Sequence, residues 1–204
     1  DAHNAIYRRY LSTWYEQYQN EMESNATPYV TPIHASATAQ FVGVFRAIVT
    51  PEGVHQGVVG AIIDLQPIIQ QFVVPVRSGQ YGAAWLQDFD GQVIFDHEKE
   101  IIGENVFDLH ANYPELLILD RRYPTEISGT DEYSFTVQRG GEINRKIVAW
   151  NTVMLGNRGV TLALSAPDTE ISALLRSSRQ ASLILGIILI ILLVGSAGFF
   201  YYIQ

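Results

Sequence analysis

Hydrophobic residues recur at steps of three and four along the first twenty positions of the chain. They are Ile6, Tyr7, Tyr10, Leu11, Trp14, Tyr15 and Tyr18. This spacing is typical of an amphipathic helix, whose single apolar face we expect to pack against a core. Pro28 and Pro32 then interrupt the helical pattern.

Two short β-branched runs follow, at residues 41–50 and 56–65, with Pro51-Glu52-Gly53 between them. Because proline and glycine at this spacing favour a turn, the two runs predict an antiparallel hairpin. The apolar stretch 65–76 contains prolines and predicts a short helix or a connector. Residues 78–80 (Ser-Gly-Gln) mark the boundary of a second block.

The second block begins with two strand-like runs, residues 81–86 and 92–96, which an Asp-Gly turn at Asp90-Gly91 connects. The stretch from Glu104 to Tyr123 is rich in Leu, Ile and Phe and is cut by proline, so it predicts short helices.

Three further strand-like runs follow, at residues 131–138, 143–151 and 159–165, with turns at Gly140-Gly141 and Gly156-Asn157. This order of elements, two strands, then helices, then three strands, predicts an α+β domain of the PAS type. Such a domain is a five-stranded antiparallel sheet with helices on one side.

Residues 182–203 contain no charged side chain over twenty-two positions. A helix of this length crosses a bilayer core of about 30 Å, whereas a helix of a soluble core would carry polar residues on one face. The segment therefore predicts a transmembrane helix. Tyr201 and Tyr202 would lie at the membrane interface, and small residues offer a close-packing face, namely Ser182, Gly186, Gly195 and Gly198. The predicted domains are 1–76, 77–168 and 169–204.

Composition narrows the classes of function. With 21 acidic and 13 basic residues the net charge is −8, which argues against nucleic acid as a partner. The absence of cysteine excludes disulfides, thiolate metal sites and thiol catalysis. An EF-hand loop beginning at Asp88 would need Gly and Glu where Val93 and Lys99 stand, and His97-Glu98 lacks the second histidine of a zinc hydrolase. We expect no enzymatic activity, no cofactor and no metal.

Residues 79–109 carry a family resemblance. This stretch resembles the Cache superfamily in four features. They are a glycine-aromatic start (Gly79, Tyr81-Gly82), the Asp90-Gly91 turn, a strand that ends near His97, and the run Ile102-Gly103-Glu104-Asn105. The resemblance implies a small-molecule-sensing domain outside the cell membrane, of the kind found in chemoreceptors and sensor histidine kinases. It implies a periplasmic or extracellular location, an anchor in the cell (inner) membrane, and a reduced first Cache module before residue 77.

The resemblance also implies candidate ligand-binding residues. Amino-acid-binding Cache domains have an Arg, a Trp-Tyr pair, a Tyr-x-Asp and a strand-end Asp, and the matches here are Trp14, Tyr15, Tyr29 and Asp64. Ser12 stands in place of the Arg and Thr31 in place of the middle Asp. Since Arg holds an α-carboxylate best, this substitution argues against an amino-acid ligand.

In the second block, the candidates for a pocket beneath the helices are Trp85, His97, Tyr133, Arg145 and Trp150. Buried aromatic residues serve more often as core than as ligand walls, so a structural role is the alternative for each.

Two roles remain open at this stage. The first is a sensor that transmits a signal through the helix at residues 182–203. The second is an accessory subunit of a larger membrane complex, which reuses the fold with a degenerate pocket. The partners left open are the lipid bilayer at residues 182–203, a small organic ligand, a second copy of the chain and other membrane subunits.

Overall fold

The computed structural model describes residues 2–24, 27–136 and 143–173. The elements in chain order are α1 (Ala2–Ser24), β1 (Tyr29–Val30), β2 (His34–Ser36), β3 (Ala39–Val49), β4 (His55–Asp64), α2 (Gln66–Phe72), β5 (Arg77–Ser78), β6 (Gly82–Asp88), β7 (Val93–Phe95), a 3-10 turn (Lys99–Ile101), α3 (Val106–Leu109), α4 (Pro114–Arg122), β8 (Ser128–Thr136), β9 (Ile143–Leu155) and β10 (Arg158–Pro167). Residues 168–173 are helical, and we call them the exit helix.

The predicted membrane span at residues 182–203 and the predicted turn at Gly140-Gly141 lie outside the described residues. Ser182, Gly186, Gly195, Gly198, Tyr201 and Tyr202 belong to that span. Within the part of the chain that the structure describes, no helix is long and apolar enough to cross a membrane.

The first block consists of α1 packed on a four-stranded antiparallel sheet, sheet A, in which β3 pairs with β1 and β2 on one side and with β4 on the other. The aromatic face of α1 meets Phe41, which is 1% exposed. Tyr7 and Tyr10 pack edge-on against the Phe41 ring, with centroids 5.4 and 4.9 Å away. The predicted amphipathic helix and hairpin are therefore confirmed.

A shared core joins the two blocks. Ile69 of α2 and Val73, the residue that follows this helix, are buried with Val42 of sheet A and with Ala84 and Ile94 of the second block. Burial of aliphatic side chains from both blocks stabilises their packing.

The second block contains a six-stranded antiparallel sheet, sheet B, in the order β5-β6-β10-β9-β8, with β7 also paired to β6. The prediction of five strands was wrong by one, because Arg77 and Ser78 pair with Ala83 and Gly82. Gly79 makes this tight return with φ +64, a value that favours glycine.

Helices α3 and α4 lie over one face of sheet B, as the sequence predicted. Leu119 and Tyr123 from the α4 region pack against Val148, Trp150 and Ala163 of the sheet. All five side chains are nearly inaccessible to solvent.

Candidate ligand-binding cavity

A cavity of about 250 Å³ lies between sheet B and the helices above it. Its floor is formed by the sheet residues Trp85, Tyr133, Lys146 and Ser165. Its roof is formed by Val106, Leu109, His110, Leu116, Asp120 and Tyr123, and one side by Val93, Asp96, Glu98 and Ile101. A mixed polar and aromatic lining of this kind suits a small organic molecule.

Strand register explains which sheet residues face the cavity. Tyr133 of β8 lies directly opposite Lys146 of β9, and Ala163 of β10 lies opposite Trp85 of β6. Since side chains on a strand alternate between faces, Lys146 shares its face with the buried Val148 and Trp150. The floor is therefore fixed by regular antiparallel pairing.

The aromatic wall is centred on Tyr123, which is 2% exposed. Its ring makes edge-to-face contacts with Trp85 and Trp150, at centroid distances of 5.5 and 5.2 Å. Burial raises the pKa values of the Tyr123 and Tyr133 hydroxyls above their ordinary value. Both hydroxyls therefore stay protonated at neutral pH and keep their ability to donate hydrogen bonds.

His110 and Asp120 join the end of α3 to α4 in the roof. His110 Nδ1 lies 2.7 Å from Asp120 Oδ2, and Asp120 is 1% exposed. A carboxylate buried this deeply requires a hydrogen-bonding partner, which His110 supplies. The pair therefore holds the two roof helices in a fixed relation.

Lys146 and two acidic residues occupy the side of the cavity. Burial lowers the pKa of the Lys146 ammonium, while the nearby Asp96 and Glu98 carboxylates oppose that shift. Asp96 Oδ1 accepts a hydrogen bond of 2.8 Å from the Glu98 backbone N–H, which fixes the chain after β7. The charged side chains in the lining are thus three carboxylates, one lysine and one histidine.

The four candidates in the first block do not line this cavity. Trp14 and Tyr29 are buried in the core between α1 and sheet A. The Tyr15 hydroxyl donates to Glu23 Oε1 over 3.1 Å, and Asp64 Oδ1 accepts from the Gln66 backbone N–H over 2.9 Å. Asp64 therefore caps the turn into α2, although the resemblance implied a role in binding ligand.

The two departures from the amino-acid-binding pattern have structural roles. The Ser12 hydroxyl donates to the Arg9 carbonyl within α1, at 3.0 Å, and is exposed. Thr31 is fully buried, where its hydroxyl accepts from the Gly43 N–H at 2.9 Å and donates to the Pro32 carbonyl at 3.0 Å. Neither side chain faces the cavity over sheet B.

Of the second-block candidates, Trp85 and Tyr133 line the cavity, Trp150 supports it from the core, and His97 and Arg145 lie elsewhere. His97 borders a separate cleft of about 290 Å³ beside α2, where its ring packs edge-on against Phe95. Arg145 is exposed and forms an ion pair with Glu132. Because Arg145 and Lys146 are adjacent on a strand, only one of them can face the cavity.

Sequence reasoning missed His110, Asp120 and Lys146. Lys146 could have been found from its alternation with Val148 and Trp150, which places all three on one face. Asp120 follows the apolar Leu119 in a helix, a position that sequence alone does not distinguish from a solvated one.

Other features of the described residues limit the alternatives. Over residues 2–24, 27–136 and 143–173, no three His, Asp or Glu side chains are grouped so as to hold a metal ion.

An apolar cleft of about 700 Å³ lies between sheet A and the β9–β10 turn, with Ile63, Ile68 and Leu155 in its lining.

No protein-family model and no curated protein sequence matches the chain. Solved structures do match its fold. The extracellular domain of mmHK1S-Z2, a protein assigned as a histidine kinase, aligns with 74% of this chain and 54% of its own, at 18% identity and a TM-score of 0.58.

Two chemoreceptor domains align in the same way. The periplasmic sensory domain of Campylobacter jejuni Tlp1 covers 72% of this chain and 51% of its own, at 14% identity and a TM-score of 0.55. The ligand-binding domain of Pseudomonas fluorescens CtaA, solved in complex with L-serine, covers 74% and 59%, at 22% identity and a TM-score of 0.51.

The chain spans a little over half the length of these domains. At identities this low the likeness shows the fold alone. The chain therefore has the fold of extracellular and periplasmic sensor domains, the class that its Cache resemblance implied. The mixed α+β architecture with antiparallel sheets that the sequence predicted is confirmed.

Proposed function

We propose that this chain is a membrane-anchored sensor domain on the outer side of the cell membrane, which binds a small organic ligand in the cavity over sheet B. The observation that carries the proposal is a cavity with aromatic and charged walls in a fold shared with sensor domains of chemoreceptors and histidine kinases. A sensing role requires no catalysis, and the proposal assigns none.

Signal transmission in this proposal begins at the roof. A ligand that contacts His110 or Asp120 changes the relation between α3 and α4, and a ligand that contacts Ser165 acts on β10, which leads into the exit helix. The ligand favours one of two arrangements only if it binds that arrangement more tightly. The predicted helix at residues 182–203 then carries the change across the membrane.

Ligand binding is tested by the intrinsic fluorescence of the full chain in detergent. The chain has three tryptophans, and Trp85 lines the cavity while Trp14 lies in the core under α1. A compound from a mixed metabolite panel should change the emission of the wild type and of Trp14→Phe, but much less that of Trp85→Phe. Equal responses in both variants would contradict binding in this cavity.

Location is tested separately by cysteine labelling. Because the chain contains no cysteine, Glu52→Cys in the exposed β3–β4 turn introduces a unique thiol. A membrane-impermeant maleimide should label this thiol in intact bacterial cells. Labelling only after lysis would place the domain on the cytoplasmic side and contradict the proposal.

The apolar cleft beside sheet A supports the accessory-subunit role as a second candidate. Ile63, Ile68 and Leu155, which line this cleft, are 41%, 46% and 37% exposed, and neighbouring exposed apolar side chains of this kind occur at surfaces that contact another protein or a membrane. This role predicts co-purification with other membrane chains in fixed ratio. It also predicts that Ile63→Asp releases those chains while the Trp85 fluorescence is unchanged.

A further inference from the structure

We propose that the cavity over sheet B selects a small organic cation, a compact ammonium compound, over anions and neutral molecules of the same size. This inference rests on the proposed sensing function and names the ligand class for the same site.

The charge of the lining favours a cation. Three carboxylates, from Asp96, Glu98 and Asp120, face one positive charge from Lys146 and at most one from His110. The lining is therefore net negative in either protonation state of the histidine. Because charges in a partly buried cleft are screened less than in bulk water, such an excess attracts a cation and repels an anion.

The basic groups of the cavity are already engaged. Lys146 is the one Lys or Arg among the described residues that line it, and the Asp96 and Glu98 carboxylates act on its ammonium. His110 contacts Asp120 through Nδ1. The three carboxylates of the lining would repel a carboxylate ligand, whereas they would attract an ammonium group.

The aromatic residues complete a site suited to an ammonium ion. Trp85, Tyr123 and Tyr133 all line the cavity. The faces of such rings attract cations, and Trp does so most strongly. Alkyl groups on the nitrogen would contact the apolar side chains of Val93, Ile101 and Leu109. Carboxylates attract an ammonium ion by charge, and aromatic faces attract it through the ring quadrupole.

The size of the cavity limits the ligand. Its volume of about 250 Å³ lies just below the roughly 300–1,000 Å³ of ordinary ligand sites. A peptide or a nucleotide does not fit, but a short alkylammonium or arylammonium compound does. Among the described residues, no His, Asp and Glu side chains are grouped so as to hold a metal ion.

The test compares three probes of nearly equal size, n-butylammonium, 1-butanol and n-butyrate, with the full chain in detergent at constant ionic strength. At roughly ten times its Kd, a ligand should raise the Tm of a chain of this size by about 3–5 °C. We expect this rise with n-butylammonium, and much smaller changes with 1-butanol and n-butyrate at the same concentration.

Two isosteric variants test whether the acidic side chains of the cavity cause the Tm rise with n-butylammonium. Asp96→Asn keeps an oxygen for the Glu98 N–H, and Glu98→Gln keeps the side-chain length, so both should fold. Each should lower the n-butylammonium shift by half or more. Glu52→Gln, which removes one negative charge from the distant β3–β4 turn, should leave the shift unchanged and controls for the overall charge of the chain.

The outcomes separate this inference from the proposed function. A shift with n-butyrate that Asp96→Asn increases would keep the cavity as the ligand site and overturn the cationic class. An n-butylammonium shift that is equal in all variants, or no shift with any probe, would overturn the inference about this cavity. The sensing proposal would still be decided by the metabolite panel and the Trp85 and Trp14 variants.

Discussion

Glu170 in the exit helix accepts a hydrogen bond from the backbone N–H of Tyr81, with 3.1 Å between Oε2 and the nitrogen. The same carboxylate also accepts from the Gln80 N–H. These contacts join the exit helix to the turn between β5 and β6. A shift of sheet B and a movement of the exit helix are therefore mechanically coupled at this turn.

Glu170→Ala should loosen that coupling while the fold is kept, since the side chain is partly exposed and outside the core. The Gln80 and Tyr81 amides lose their acceptor and should exchange with deuterium several times faster than in the wild type. Glu100→Ala, which removes an exposed carboxylate from the 3-10 turn, is the control. Equal exchange at Tyr81 in both variants would show that Glu170 does not hold the turn.

The two roof residues His110 and Asp120 should be energetically coupled, so that losing both costs less stability than the sum of the two single losses. His110→Ala leaves the buried Asp120 carboxylate without its partner and should lower the free energy of unfolding by about 3 kcal/mol. In the double variant His110→Ala/Asp120→Ala this charge is gone, so the second substitution should cost much less than it does alone. Denaturant unfolding of the four chains measures the coupling, and additive effects would contradict it.

Gln87 is fully buried on β6, and neither its side-chain oxygen nor its nitrogen has a hydrogen-bond partner in the described part of the protein. An unsatisfied buried amide costs about 1–3 kcal/mol, so Gln87→Leu should raise the free energy of unfolding by about 1 kcal/mol. Thr161→Val, which breaks the 2.9 Å hydroxyl contact with Thr152 on the same sheet, should lower it. A lower Tm for Gln87→Leu would mean that the amide has a stabilising partner.

The ionisation of Asp88 should lower the free energy of unfolding as the pH rises. Burial raises its pKa above the ordinary aspartate value, against hydrogen bonds from the Gln92 and Asp90 backbone and the charge of Arg158. The folded state thus holds its proton more tightly than the unfolded state, and stability is lost as pH rises from the unfolded pKa through the folded one. Asp88→Asn keeps an oxygen for the Gln92 N–H, which lies 2.8 Å away.

The Asn variant should therefore be more stable than the wild type at pH 7 and nearly equal to it at pH 3. Thermal unfolding at both pH values checks this. An advantage of the variant that is larger at pH 3 would contradict the raised pKa.

Sequence patterns predicted the elements that local chemistry determines. Helix α1 follows from the spacing of its Tyr and Trp residues, and the two hairpins follow from the turns Pro51-Glu52-Gly53 and Asp90-Gly91. Each of these signals depends on only a few neighbouring residues, and the structure contains the helix and both hairpins. The pairing of Arg77 with Ala83 was not predicted, because a two-residue strand has no hydrophobic period. It depends on Gly79 and on the position of β6.

The candidate site was predicted less well, because a cavity is assembled from elements distant in sequence. Trp85 and Tyr133 were found as aromatic residues in strands, and both line the cavity. Arg145 was predicted to line the same pocket, but strand alternation directs Lys146 inward at that position. Asp120 faces inward only because α4 packs on sheet B through Leu119, a tertiary relation that no local pattern shows.

Hydrogen–deuterium exchange of the full chain tests the central claim most directly, in the presence and absence of the panel compound that changes the tryptophan emission most. Binding in the cavity over sheet B predicts slower exchange in α3 and α4 and at the Gln80 and Tyr81 amides, with little change in β3 and β4. Protection confined to β3 and β4, with α3 and α4 unchanged, would place the ligand against sheet A and contradict the account.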